Sequence, residues 1–263
     1  MNGFIVFIIC VAILTAIIFG TKNTKKLKVV LPENFRKLLE EHVAFYRSLN
    51  QESKIRFEEM IKDFLSYVSI EGVNTTVEDL DKLLVASSAV IPIFGFNNWH
   101  YYNLTNVLLF EDAFTADKFS TTDKERNTLG MVGTGPMQQM MILSKPALRL
   151  GFKNETDKSN TGIHEFVHLL DKADGETDGI PEQLLQKQYT IPWLNLMGDA
   201  ITEIKKGKSD INIYGATSKT EFFAVASEYF FERPDLLQQK HPELFELLEQ
   251  TFHQVPATIK REE

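Results

Sequence analysis

No stretch of this chain constrains its fold as tightly as His164-Glu165-Phe166-Val167-His168. Two imidazoles four residues apart meet only on a helix, where positions i and i+4 lie about 40° apart around the axis. In a strand the same rings would stand about 13 Å apart. On a helix both can face one divalent ion, with Glu165 beside the pair and within reach of a water on that ion.

Two histidines hold zinc poorly. A catalytic zinc takes three protein ligands and leaves one position for water. The only cysteine is Cys10, inside an apolar run, so a Cys-based zinc site and an intrachain disulfide are both excluded. The other histidines are His42, His100, His241 and His253, and none follows the motif at short spacing. The third ligand is therefore expected to be a carboxylate on a later helix. Glu221 and Glu228 are the candidates, in Thr220-Glu221-Phe222-Phe223-Ala224-Val225-Ala226-Ser227-Glu228-Tyr229-Phe230-Phe231. Seven apart, they lie on nearly one helix face. Among such apolar neighbours a carboxylate needs a metal, a cation or several hydrogen bonds. Ser218-Lys219-Thr220-Glu221 also fits a capping box, in which Glu221 would only satisfy the helix start. Both readings stand on spacing alone. Glu228 suits an acceptor for an imidazole N–H equally well. Asp171 suits that role too, or a cap for the helix end. Tyr214, seven residues before Glu221, either reaches the metal pocket or packs in a turn beside Gly215.

The net charge of −8 leaves no basic stripe to neutralise phosphates, so direct nucleic-acid binding is not expected. From Gly3 to Gly20 there is no charge. Eighteen helical residues span about 27 Å, close to the hydrocarbon thickness of a bilayer. A cleaved signal peptide is the rival reading, but no Lys or Arg precedes the run and no small-x-small site follows it. Lys22, Lys25, Lys26 and Lys28 come after it instead. Residues 1–20 are thus expected to be a retained transmembrane anchor. The positive-inside rule then puts the rest of the chain in the cytoplasm, as a single-pass protein of the bacterial inner membrane with membrane contact through residues 3–20.

Residues 21–33 read as a basic juxtamembrane tether. Residues 34–125 begin with three amphipathic helices, from about Glu33 to Leu49, from about Gln51, and from Thr76 with Asp79 three residues on. This N-terminal helical subdomain carries no obvious chemistry. Asn106–Phe110, Thr128–Val132 and Met140–Ser144 are short apolar runs broken by Gly133, Gly135 and Pro136, and predict a small sheet. Helical periodicity returns with Asn160 or Thr161 as a cap, again from Pro192, from Ser218 to Glu232, and from Pro242 to Phe252. Residues 126–255 form the expected catalytic subdomain and 256–263 a charged tail.

His164–Asp171 together with Thr220–Phe231 resemble the Mlc titration factor A family of zinc peptidases, as do Asn160, Leu143-Ser144 and the helical start from Leu31. The resemblance covers roughly residues 31–255. The Glu221-Phe222-Phe223-Ala224 run is also similar to the C-terminal metalloprotease domain of anthrax lethal factor. The resemblance implies an α+β, mostly α, zincin-like metalloprotease domain with a small antiparallel or mixed sheet and N-terminal helices, here preceded by one transmembrane helix. It implies one zinc ion on His164, His168 and Glu221, and a role for Tyr214 in stabilising the tetrahedral intermediate. It also implies a transcriptional-regulator partner.

The chemistry expected is hydrolysis of a peptide or protein substrate, with Glu165 as general base. The substrate is expected to lie extended along an edge strand at Met141, Ile142 and Leu143. The rival is a membrane-tethered binding protein that sequesters a repressor, with zinc structural. Glu165 favours the enzyme, because a structural zinc site has no use for it.

Overall fold

A computed structural model describes residues 29–114, 128–133, 139–154 and 157–256. The anchor and most of the tether lie outside the described residues, as does the tail from 257 onward. Among the described residues no helix is long and apolar enough to cross a membrane.

Helix α1 (Phe35–His42) and helix α2 (Ala44–Ser48) replace the single helix expected over this stretch. The break is at Val43, whose φ of −120° and ψ of 96° are extended and whose side chain is buried. Helix α3 (Gln51–Tyr67) starts where Asn50 accepts from the Ser53 N–H. Strand β1 (Ser69–Val73) follows directly. Helix α4 (Asp79–Ile93) starts two residues later than a cap at Thr76 would place it. Its capping box uses Glu78 and Asp81 rather than Thr76 and Asp79. Asp81 is fully buried, and Arg149 and Lys145 hold its carboxylate at 2.7 and 3.1 Å.

Strands β2 (Asn106–Phe110), β3 (Gly130–Val132) and β4 (Met140–Ser144) complete a mixed sheet of order β1-β2-β4-β3. β1, β2 and β4 are parallel, and β3 runs antiparallel to β4. Ser144 ends β4 and caps helix α5 (Lys145–Lys153), with Pro146 in its first turn, where the missing N–H costs nothing. Helix α6 (Thr161–Asp171) carries the His-Glu motif. Helices α7 (Thr190–Lys205), α8 (Lys219–Glu232), α9 (Pro234–Lys240) and α10 (Pro242–Phe252) close the chain. The fold is α+β and mostly helical, with one small sheet.

One apolar cluster runs from Leu39 to Phe252. It and the β2–β4 pairing both span the boundary drawn at 125/126. Phe166 on the back of α6 packs edge-on against Phe64 and Tyr101, and Phe222 and Phe223 of α8 pack against Trp193. Both helices bury a continuous apolar back, and this fixes which side chains face the front.

The expected edge strand needs correction. β4 lies between β2 and β3, and Met141, Ile142 and Leu143 are 0–1% exposed. Its unbroken apolar run is that of a strand covered on both faces. The edge strand beside α6 is β3.

Candidate metal centre

Helix α6 is anchored at its N-cap. Asn160 is fully buried, and its Oδ1 accepts from the Ile163 N–H at 3.2 Å. Its own N–H donates to Glu228 Oε2 at 2.6 Å and its Nδ2 donates to Glu232 at 2.9 Å. Gly162 lets α6 approach α4 closely, because a Cβ there would overlap the Ser88 hydroxyl. The start of α6 is thereby pinned to α4 on one side and α8 on the other.

Three side chains converge on the front of this frame. His168 Nε2 is 3.0 Å from His164 Nε2. Glu221 Oε2 is 3.1 Å from His164 Nε2 and 3.5 Å from His168 Nε2. Among the described residues these three form the group able to hold a metal ion, their ligand atoms all within 4.8 Å of one another. The structure divides the two roles read for this segment between two residues. Ser218 Oγ caps α8 by accepting from the Glu221 N–H at 3.1 Å, while the carboxylate turns to the imidazoles.

Glu228 sits one turn of ring chemistry behind. His164 Nδ1 lies 2.6 Å from Glu228 Oε1 and donates its proton there. In the neutral ring that bond leaves the Nε2 lone pair facing the front. Two ring nitrogens and a carboxylate oxygen thus meet at one point, an arrangement that calls for positive charge, from a metal ion or from a proton on the His164 ring. Burial opposes charge on the His164 ring. The Glu221 and Glu228 carboxylates outweigh it and hold its pKa well above the usual value. Burial likewise works against the Glu221 carboxylate, and the two imidazoles reverse it, bringing its pKa down to about 2. Ligands about 2.05 Å from a tetrahedral zinc are separated by roughly 3.3 Å. The separations of 3.0, 3.1 and 3.5 Å fit that figure, and the N, N, O donor set fits a catalytic site.

Glu165 is 5% exposed, and burial raises its pKa, partly offset by the neighbouring imidazoles. Tyr214 sits in a short 3-10 turn, Ile213–Ala216, with its ring centre 6.0 Å from that of His164. It is half exposed, and burial of the rest, with the Glu221 and Glu165 carboxylates, raises its pKa. Asp171 serves the backbone of the following loop. Both its oxygens lie 3.0 Å from the Gly179 N–H, so it holds the loop after α6 rather than an imidazole.

Three contributors carried little sequence signal. Ser159 donates to Glu228 at 3.0 Å. Asp210 gathers Lys158, Tyr229, Lys240 and His241, and so ties the segment leading into Asn160 to α8 and α9. Gly130 faces Glu165, and a lone glycine within a strand is the one available hint of such a close approach.

The register of β3 determines which backbone groups face outward. Ser144 N–H donates to Leu129 and Gly133 N–H to Met140, so the pairs 129/144 and 133/140 are hydrogen-bonded. Antiparallel pairs alternate, so the N–H and C=O groups of Gly130 and Val132 point away from β4. Thr128 obeys the same alternation, pairing outward with Phe114. Among the described residues no strand pairs with the outer edge beyond that bridge.

Residues 20–253 match the family described as glucose-regulated metallo-peptidase M90. The chain belongs to this family. It is 26% identical to the uncharacterized protein slr2042 of Synechocystis, over 84% of each chain. It is 32% identical to Mlc titration factor A of Klebsiella pneumoniae strain 342, over 74% of this chain and 76% of that one. With Mlc titration factor A of Escherichia fergusonii it shares 25% identity, over 81% of this chain and 84% of the relative. The M90 match takes in every residue of the centre just described and begins at the end of the uncharged N-terminal run.

Proposed function

We propose that this chain is a zinc-dependent peptidase in which His164, His168 and Glu221 hold the metal and Glu165 is the general base. The observation that carries the reading is the convergence of three lone-pair donors beside a buried carboxylate. A structural site would have little use for that extra carboxylate. Bound there, zinc supplies Lewis acidity and lowers the pKa of a water towards about 7.

The protein groups divide the remaining work. Glu165 accepts a proton from the attacking water and delivers it to the leaving amine. Burial raises its pKa, which strengthens it as the base in the first of these tasks. Tyr214 donates its hydroxyl proton in a hydrogen bond to the oxyanion developing on the substrate. Glu228 keeps the His164 ring in one tautomer and orientation. An extended peptide pairs with the outward N–H and C=O groups of Gly130 and Val132 on β3. A panel of fluorogenic peptides, assayed on the full chain with and without chelator alongside metal analysis, tests the reading. Cleavage that chelator abolishes and zinc restores supports it, and chelator-resistant cleavage contradicts it.

The uncharged run at 3–20 followed by four lysines supports anchoring of the chain in the bacterial inner membrane, with the peptidase on the cytoplasmic side. The name Mlc titration factor A, borne by several relatives, supports a second reading. In it the chain binds a transcriptional regulator at the membrane and the metal serves structure alone. Such binding would persist in a protein whose Glu165 has been neutralised.

A further inference from the structure

The base of the proposed reaction is buried against a strand that has no side chain at the point of contact. A Cβ built on Gly130 would lie 2.5 Å from Glu165 Cγ, 2.6 Å from its Oε1 and 2.8 Å from its Cδ. Real Cβ atoms do not approach other heavy atoms so closely. We propose that Gly130 is a positioning residue for Glu165: its missing side chain is the space that the carboxyl arm of the base occupies. This rests on the peptidase reading for its consequence in catalysis, but the contact can be tested apart from it.

Backbone conformation does not account for a glycine here. Among the described residues the glycines at positive φ are Gly175, Gly179 and Gly207, and Gly130 is not among them. Within a strand, glycine loses ladder stability and packs nothing, so space is the remaining physical reason. The alternation of β3 agrees. Met131 packs on the small cluster of Phe110, Phe114 and Ile142, across the sheet, while Val132 packs on the main cluster with α6. Position 130 therefore faces the same way as Val132, towards α6. The residue after the strand is held to the C-cap of the same helix at a second point, where Lys172 Nζ donates to the Gly133 carbonyl at 3.2 Å. With β3 tied there and Glu165 only 5% exposed, neither partner can retreat from an added methyl without displacing the carboxyl.

The same residue turns its backbone groups to the outer edge of β3. The atom spacing between a peptide paired at residue 130 and the base is then set across one Cα. A side chain there would shift the base and leave the pairing groups in place, so it should alter turnover more than substrate binding.

The test uses the full-length protein carrying Gly130→Ala, Glu165→Ala, or both. Zinc content, melting temperature, kcat and KM are measured for each. The expected result for Gly130→Ala is unchanged zinc stoichiometry, KM within about twofold, and kcat lowered on the order of 10- to 100-fold. Its melting temperature should fall in the parent background and hold steady in the Glu165→Ala background, because the methyl then has room. Equal melting shifts in both backgrounds, or a Gly130→Ala protein with parental kcat, would overturn the proposal. A parent without any peptidase activity would overturn the functional reading instead, and the melting cycle would still decide whether Gly130 houses the Glu165 arm.

Discussion

Glu228 Oε1 stands 2.6 Å from His164 Nδ1, on the far side of the ring from the nitrogen that faces Glu221. One carboxylate thereby selects the tautomer of a ring whose other nitrogen meets a second carboxylate. Its other oxygen accepts from Asn160 N–H and Ser159 Oγ, so the same group also fixes the start of the metal helix.

Glu228→Gln keeps the shape but turns one acceptor oxygen into a donor, facing either the His164 N–H or the Asn160 N–H. Zinc affinity is expected to fall 10- to 100-fold, the usual cost of losing such a partner. Competition against a calibrated chelator measures it, and unchanged affinity would remove Glu228 from any role at the metal.

The two duties at the start of α8 are separable. Glu221→Ala deletes a ligand but leaves the Ser218 cap, so zinc binding should be lost while helix content by circular dichroism stays the same. Ser218→Ala should do the reverse, costing about 1 kcal/mol of stability with metal affinity nearly intact. Denaturant melts and zinc titrations on both variants read the difference.

Tyr214 is half exposed and its ring lies beside that of His164. Tyr214→Phe removes only the hydroxyl. Metal content and KM should hold, and kcat should fall roughly 10²-fold if the hydroxyl meets the developing oxyanion. Parental kcat would assign Tyr214 to packing alone.

Asp210 gives the fold an acid-sensitive joint away from the metal. Burial by itself would raise its pKa. Hydrogen bonds from Lys158, His241, Lys240 and Tyr229 more than reverse this and hold it well below the ordinary 3.8. A carboxyl depressed in the folded state stabilises the protein above its unfolded pKa, and that stability drains away as pH falls towards the folded value. Stability should therefore drop as pH falls below 3.8. Asp210→Asn should be less stable at neutral pH and flatter in that acid range, as read from melting temperature against pH.

Much of the centre was legible because its signals are local. His164 and His168 are one helical turn apart, and the spacing of Glu221 and Glu228 put both on one helix face. The third ligand stayed open because the sequence from Ser218 to Glu221 fits a capping box and a metal site alike, and only the folded carboxylate shows which way it turns. Strand boundaries at 106–110 and 140–144 followed from apolar runs bounded by breakers. Strand order did not, since it depends on which distant segments pair. The run Met140-Met141-Ile142-Leu143 marks a strand buried on both faces, while the glycine of β3 marks the close approach of Glu165. β1 is as long as β2 and β4, but its mixed polarity, with Glu71 and Gly72 inside it, keeps it from announcing itself. α5 begins within two residues of a strand end, leaving little room for a boundary signal.

The most direct measurement is the turnover of Glu165→Gln, made in the full chain and loaded with zinc. The expected result is zinc content and melting temperature equal to the parent, with peptide cleavage reduced by at least about 10²-fold. Parental cleavage by a fully loaded Glu165→Gln protein would contradict the assignment of Glu165 as the base, and with it the mechanism proposed for this site.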